Sequence, residues 1–241
     1  MPQSASAQTA SGKVVLYASV GPALTQYDVD VEGATLFRRG TVTLPANVHY
    51  GWPHASGRHL YVASSNSASG MGPVGDKHHV TALRIDPASG ALTPHGNPIA
   101  LPTRPIHMTT DIPSEHLVVA FSNPSAIRVY RVNSDATPGG EVRQPGTIDA
   151  GIYGHQVRVS PNNRLAILVT RGHDAAGSKP EDPGALKGFQ LPRRIADQRS
   201  FGRAEWRLRL RAAPSRFPPG RALGLRLARA PEQARYVPDC R

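Results

Sequence analysis

Three polar side chains stand ten residues ahead of a leucine that opens an apolar run. They are Tyr50 before Leu60, His107 before Leu117 and His155 before Leu165, and His49 lies beside the first. An imidazole exchanges protons near neutral pH, and a phenol both donates and accepts hydrogen bonds. Gathered around one opening, these groups would form a small-molecule site able to move a proton. The competing assignment is structural: inner-strand histidines hydrogen-bonded to their neighbours, which suits His107 equally well. His54, His59, His95 and His116 fall in or beside turns and read as structural. His78-His79 reads as a loop pair ahead of a strand, and no cysteine or carboxylate spacing there supports a metal.

The elements that would hold these residues are short strands. KVVLYASV, HLYVASS, HLVVAF and RLAILVT are rich in Val, Leu, Ile or Tyr and lie between Gly, Pro, Ser or Asn clusters. No long apolar run of helical period is present. The leucine anchors Leu60, Leu117 and Leu165 are spaced 57 and 48 residues apart. LTQYDVD, VTALRID and IRVYRVN form a second series, each followed by a Gly-bearing turn, with anchors Tyr27, Leu83 and Tyr130 spaced 56 and 47. Two series with nearly one step make a repeat. Four short strands per unit at a period of about fifty residues is the pattern of β-propeller blades. The innermost strand of each unit should start near Tyr50, Ile106 and Gly154, placing the polar residues at one end of a central channel.

The chain has 241 residues and a formal net charge of +11. That charge is uneven: residues 1–189 carry 15 Lys+Arg against 13 Asp+Glu, and residues 190–241 carry 13 Arg against 4 Asp+Glu with no Lys or His. A basic arm for nucleic acid is one reading of this tail. It has few aromatics and no recognisable module, so no nucleic-acid partner is expected. A single cysteine, Cys240, excludes an internal disulfide framework. No run approaches the length of a membrane-spanning helix, and residues 1–11 lack the charged and apolar regions of a signal peptide. The expectation is a disordered leader over 1–11 and a cytoplasmic protein with no membrane partner.

YASVGPALTQYDVD, RPIHMTTDIPSEHLVVAF, YGHQVRVSPNNRLAILVTRGHD and KPEDPGALK resemble the lactonase family of seven-bladed β-propellers, which includes 6-phosphogluconolactonase and carboxy-cis,cis-muconate cyclase. The resemblance covers residues 12–189. It implies an all-β fold of four-stranded antiparallel blades, about three and a half of them here, followed by an irregular tail. It also implies a small-molecule lactone as substrate and neither metal nor organic cofactor. His155, in HQVRVSP, takes the place of the family's catalytic histidine, while His107, Tyr50, Arg104 and His49 would position substrate. Arg171 and Asp174 match a family turn, and 178–183 reads as a rim loop.

The family's remaining partners are an Arg in a GPRH motif and a Glu in an SLE-type strand end, and neither motif occurs in this sequence. Both return when the tail is back-translated with chosen synonymous codons and read one nucleotide out of register, as GFGPRHLDFHP and WVYVSLERQNKLDTYRI. Residues 190–241 are therefore expected to be out of frame. An open arc leaves apolar faces in water, at a cost of roughly 25 cal/mol per Å², so marginal stability and self-association through exposed blade edges are expected. Three functions follow: a 6-phosphogluconolactonase-like hydrolase, weak or inactive in this chain; a non-catalytic propeller fragment or binding module; and a muconate-lactonising cyclase.

Overall fold

The computed structural model describes residues 13–67, 73–144 and 147–191. The expected leader over 1–11 and almost all of the arginine-rich tail lie outside these residues. Among the described residues the chain is all β, with strands in four antiparallel sheets. The first sheet is β1 (Val14–Val20), β2 (Ala23–Asp30) and β3 (Thr35–Thr43). The second runs β4 (Asn47–Pro53), β5 (His59–Ser65), β6 (His78–Ile85) and β7 (Leu92–Pro94), with the short β8 (Ile99–Ala100) also paired to β6. The third has β9 (Pro105–Thr110), β10 (His116–Ser122), β11 (Ser125–Val132) and β12 (Pro138–Glu141). The fourth has β13 (Gly154–Val159), β14 (Leu165–Thr170) and β15 (Ala185–Gln190). These are propeller blades stacked face to face.

In the two middle sheets the second strands, β5 and β10, read as nearly continuous apolar runs because both of their faces are covered. In β5, Val62 packs toward the first sheet with Leu24, Leu44 and Leu83. Its neighbours Tyr61 and Ala63 turn the other way, against Met108, Leu117, Val119 and Phe121 of the third sheet. In β10 the alternation repeats, with Val118 and Ala120 packed against Val157, Ala166 and Leu168 of the fourth sheet. Successive side chains point to opposite faces, so each strand feeds two interfaces. Polar bolts join the blades at the periphery: the Tyr61 hydroxyl donates to the Ala136 carbonyl at 3.0 Å and the Tyr17 hydroxyl to that of Gly90 at 2.6 Å.

The two anchor series pair directly with one another: Leu60 faces Leu83 and Leu117 faces Tyr130 across the ladder. Tyr27 pairs with Leu16 in the same way. The fourth sheet departs from the expected alignment by one residue. The backbone N–H of His54 donates to the His59 carbonyl, that of Asp111 to His116, and that of Ser160 to Leu165. Leu165 therefore takes the place of His59 and His116, and the true counterpart of Leu60 and Leu117 is Ala166, which is fully buried and pairs with Phe189. An alignment by aliphatic size selects the leucine; the ladder selects the turn.

One smaller expectation changes, and one loop gains detail. His78 and His79 are the first residues of β6 rather than loop residues. The loop containing 178–183 folds back on itself through bridges between His173 and Asp182 and between Ala176 and Lys179.

Candidate functional site

The inner strands β4, β9 and β13 each carry a β-bulge near the start. Tyr50 pairs with Ala63 and Val48 with Ser64, leaving His49 unpaired between them. His107 pairs with Ala120 and Pro105 with Phe121, leaving Ile106. Gln156 pairs with Val169 and Gly154 with Thr170, leaving His155. Bulges bend a strand and redirect a side chain at the rim of a sheet. His49 and His155 thus hold one position, and Tyr50, His107 and Gln156 hold the next. The expected ring of Tyr50, His107 and His155 is corrected here: the first two are equivalent, and Gln156 is the third. The cause is the one-residue slip at Leu165, carried back ten positions. Two residues further along, on the same strand faces, come Trp52, Thr109 and Arg158.

His155 is exposed, which leaves its imidazole open to solvent. Its seat is fixed from behind. The Gly154 N–H donates to Ser125 Oγ at 2.9 Å, and that hydroxyl donates to the Ala150 carbonyl at 2.9 Å. A Cβ on Gly154 would lie 2.7 Å from the Phe121 carbonyl oxygen, so only glycine permits this approach of β13 to the third sheet. Tyr153, immediately before, has φ of 54°, and the Arg171 guanidinium lies 5.2 Å from the centroid of its ring.

His107 is 5% exposed, and among the described residues neither ring nitrogen has a hydrogen-bond partner. Its ring centroid is 3.9 Å from that of Tyr50 and 6.5 Å from that of Trp52. Burial drives its pKa down to about 4, helped by the nearby charges of Arg158 and His155, so the ring is neutral around pH 7. Arg158 of β13 spans two blades, its guanidinium carbon 4.3 Å from the centre of the Trp52 ring.

His49 is half-buried, and burial, followed by the charge of Arg104, lowers its pKa. That interaction puts His49 and Arg104 in one neighbourhood. The structure therefore brings Tyr50 and His107 into contact, sets His155 close enough to act on His107, and groups His49 with Arg104. Trp52, Gln156 and Arg158 were missed. The signal for Trp52 and Arg158 was available, since each lies two residues beyond a member of the inner ring and strand side chains repeat with period two.

Several of the other histidines bond or stack within the fold. His78 bonds Ser65 Oγ and the Gly75 carbonyl, each at 2.8 Å. His95 Nε2 donates to the Asp135 carbonyl at 2.6 Å, and His54 and His59 stack edge to face. Among the described residues, Asp111, Glu115 and His116 form the one cluster with metal-type donor atoms within 4.8 Å of one another. Asp111 already accepts the His116 backbone N–H at 2.9 Å and pairs with its Nδ1 at 3.0 Å, so these groups close a turn.

The family described as "Lactonase, 7-bladed beta-propeller" matches residues 14–176. The chain belongs to this family. No curated protein matches it. Among solved structures it is similar to a candidate 6-phosphogluconolactonase from Bacteroides fragilis, at TM-score 0.60 and 16% identity over 81% of this chain and 54% of that one. It is similar also to the periplasmic gluconolactonase PpgL of Pseudomonas aeruginosa, at TM-score 0.56 and 18% identity over 74% of this chain and 50% of that one. A Lactobacillus plantarum protein gives TM-score 0.57 and 14% identity over 76% and 48%. This lactonase-family chain spans about half the length of those structures, and at such identities the likeness speaks for the shared fold.

Proposed function

We propose that this chain carries the lactone-handling end of a 6-phosphogluconolactonase-like hydrolase, with His155 as the general base. The observation behind this reading is the exposed imidazole of His155 on an inner-strand bulge, beside a buried neutral imidazole, in a chain of the lactonase family. His155 takes a proton from water, the resulting hydroxyl attacks the lactone carbonyl, and the ring acyl–oxygen bond breaks. The imidazolium then returns its proton to the departing alkoxide. His107, Tyr50, Arg104 and His49 hold the substrate, and no metal or organic cofactor takes part. The family's later Arg and Glu motifs are absent from this sequence, and losing one oxyanion stabiliser commonly costs about 10²–10³ in rate. Weak turnover, or binding without turnover, is the expected behaviour.

The test is a pH-stat assay with 6-phosphogluconolactone and a muconolactone side by side, on this chain and on a version with residues 190 onward restored to the alternative frame. The restored chain should open the sugar lactone, and His155→Ala should abolish that. Full activity in His155→Ala would remove the proposed base, and preference for the muconolactone would favour the cyclase. Equal inactivity of both chains would favour a non-catalytic role. Sequencing the gene across the Phe189 codon decides the frame.

Two further parts belong to this reading. Val14, Leu16 and Leu36 are exposed on the first sheet, so the chain should self-associate, and Leu16→Asp should lower its sedimentation coefficient. Location is taken as cytoplasmic, which cell fractionation tests. Among the described residues no helix is long and apolar enough to cross a membrane.

A further inference from the structure

Further along β13 than its bulge, Arg158 lies stacked on an aromatic ring. Arg158 is exposed and sits over the Trp52 ring at 4.3 Å, and among the described residues its guanidinium donates no hydrogen bond and forms no ion pair. Stacking uses one face of the planar group and leaves its N–H edges free. Such a fork, already ordered by an aromatic surface, suits the two oxygens of a carboxylate or phosphate. The ring beneath is part of an aromatic row: Trp52 stacks with Tyr50 at 6.5 Å and 15° between planes, and Tyr50 lies against His107. His107 adds a second observation: among the described residues both nitrogens of its buried ring lack a hydrogen-bond partner, whereas His59 and His79 each leave only Nδ1 without one, so this ring can bond to a polar group placed against it. Burial keeps that ring neutral around pH 7, so Arg158 is the fixed positive charge of the cluster.

The geometry points to an oxyanion subsite formed by Arg158 on its Trp52 platform beside His107, which selects substrates bearing a carboxylate or phosphate. The subsite rests on the proposed lactone reading for the identity of the molecule it holds, an anionic sugar lactone. The oxyanion binding itself is separate from the ring-opening step at His155.

Isothermal titration of the full chain with glucose 6-phosphate, gluconate and glucose tests it. One or both anionic sugars should bind at least tenfold more tightly than glucose, and which of the two leads identifies phosphate or carboxylate as the group recognised. Arg158→Gln should erase the preference and Arg158→Lys should keep part of it. Trp52→Leu, which retains the charge and removes the platform, should weaken it by a similar factor to Arg158→Gln. Arg38→Gln, on the outer strand of the first sheet, should leave it intact. Equal binding of all three sugars, or a preference that survives Arg158→Gln in a chain with unchanged circular dichroism, overturns the subsite. Loss of the preference in Arg158→Gln alongside an absence of lactone opening in the restored chain would uphold the subsite and remove the lactone reading.

Discussion

Burial makes His107 one of the residues through which pH acts on the stability of the fold. Its pKa is about 4 in the folded chain, against an ordinary 6.5, because burial and then Arg158 and His155 oppose a proton there. A depressed imidazole pKa means the unfolded chain binds more protons between these values. Stability from the neutral ring is complete above pH 6.5 and is lost as pH falls toward about 4. His49, His54 and His59 are shifted in the same direction, chiefly by burial. Urea midpoints measured from pH 7.5 downward should fall, and His107→Phe, which keeps a ring against Tyr50, should flatten part of the slope. A midpoint independent of pH in the native chain would contradict this. At this scale the sequence was half legible. A ten-residue offset placed Tyr50 and His107 at one inner-strand position and slipped by one residue in the fourth sheet. Arg158 and Trp52 meet across two blades, so no local pattern joins them.

The strands themselves were plain in the sequence, since KVVLYASV, HLYVASS, HLVVAF and RLAILVT contain or overlap β1, β5, β10 and β14. Register was less so, because it is written in turns rather than in apolar residues. Gly57, Ser114 and Asn163 all adopt positive φ at one turn position. The two with side chains have a reason to be there: Ser114 Oγ accepts the Ala55 N–H and Asn163 Oδ1 accepts the Ile112 N–H, each at 2.9 Å, linking a turn to the preceding blade. Reading position by turn geometry would have aligned Ala166 with Leu117. Close backbone approach is the other hidden constraint. Gly154→Ala would push a methyl group against the Phe121 carbonyl and the Ser125 hydroxyl. Overpacking of this kind costs about 1–3 kcal/mol, so chemical denaturation should show that loss. An unchanged midpoint would mean that β13 is free to shift.

At the scale of the molecule, the described residues form four sheets that share three apolar interfaces. The propeller was legible because two independent anchor series advance by nearly the same step, and the ladder pairs those series with each other. The first sheet keeps one apolar surface in water, with Val14 at 44% and Leu16 at 42% exposure, where a core strand would be covered. Covering such a face adds apolar burial at about 25 cal/mol per Å². The frame-restored chain should therefore melt at a higher temperature than this one in differential scanning calorimetry. The proposed ligand site lies where the inner strands begin. Histidine-selective NMR during titration with 6-phosphogluconate is the decisive check. Shifts are expected in the ring signals of His155, His107 and His49 while those of His95 and His116 stay fixed; movement of His95 or His116 with His155 unmoved, or no movement at all, would contradict the proposal.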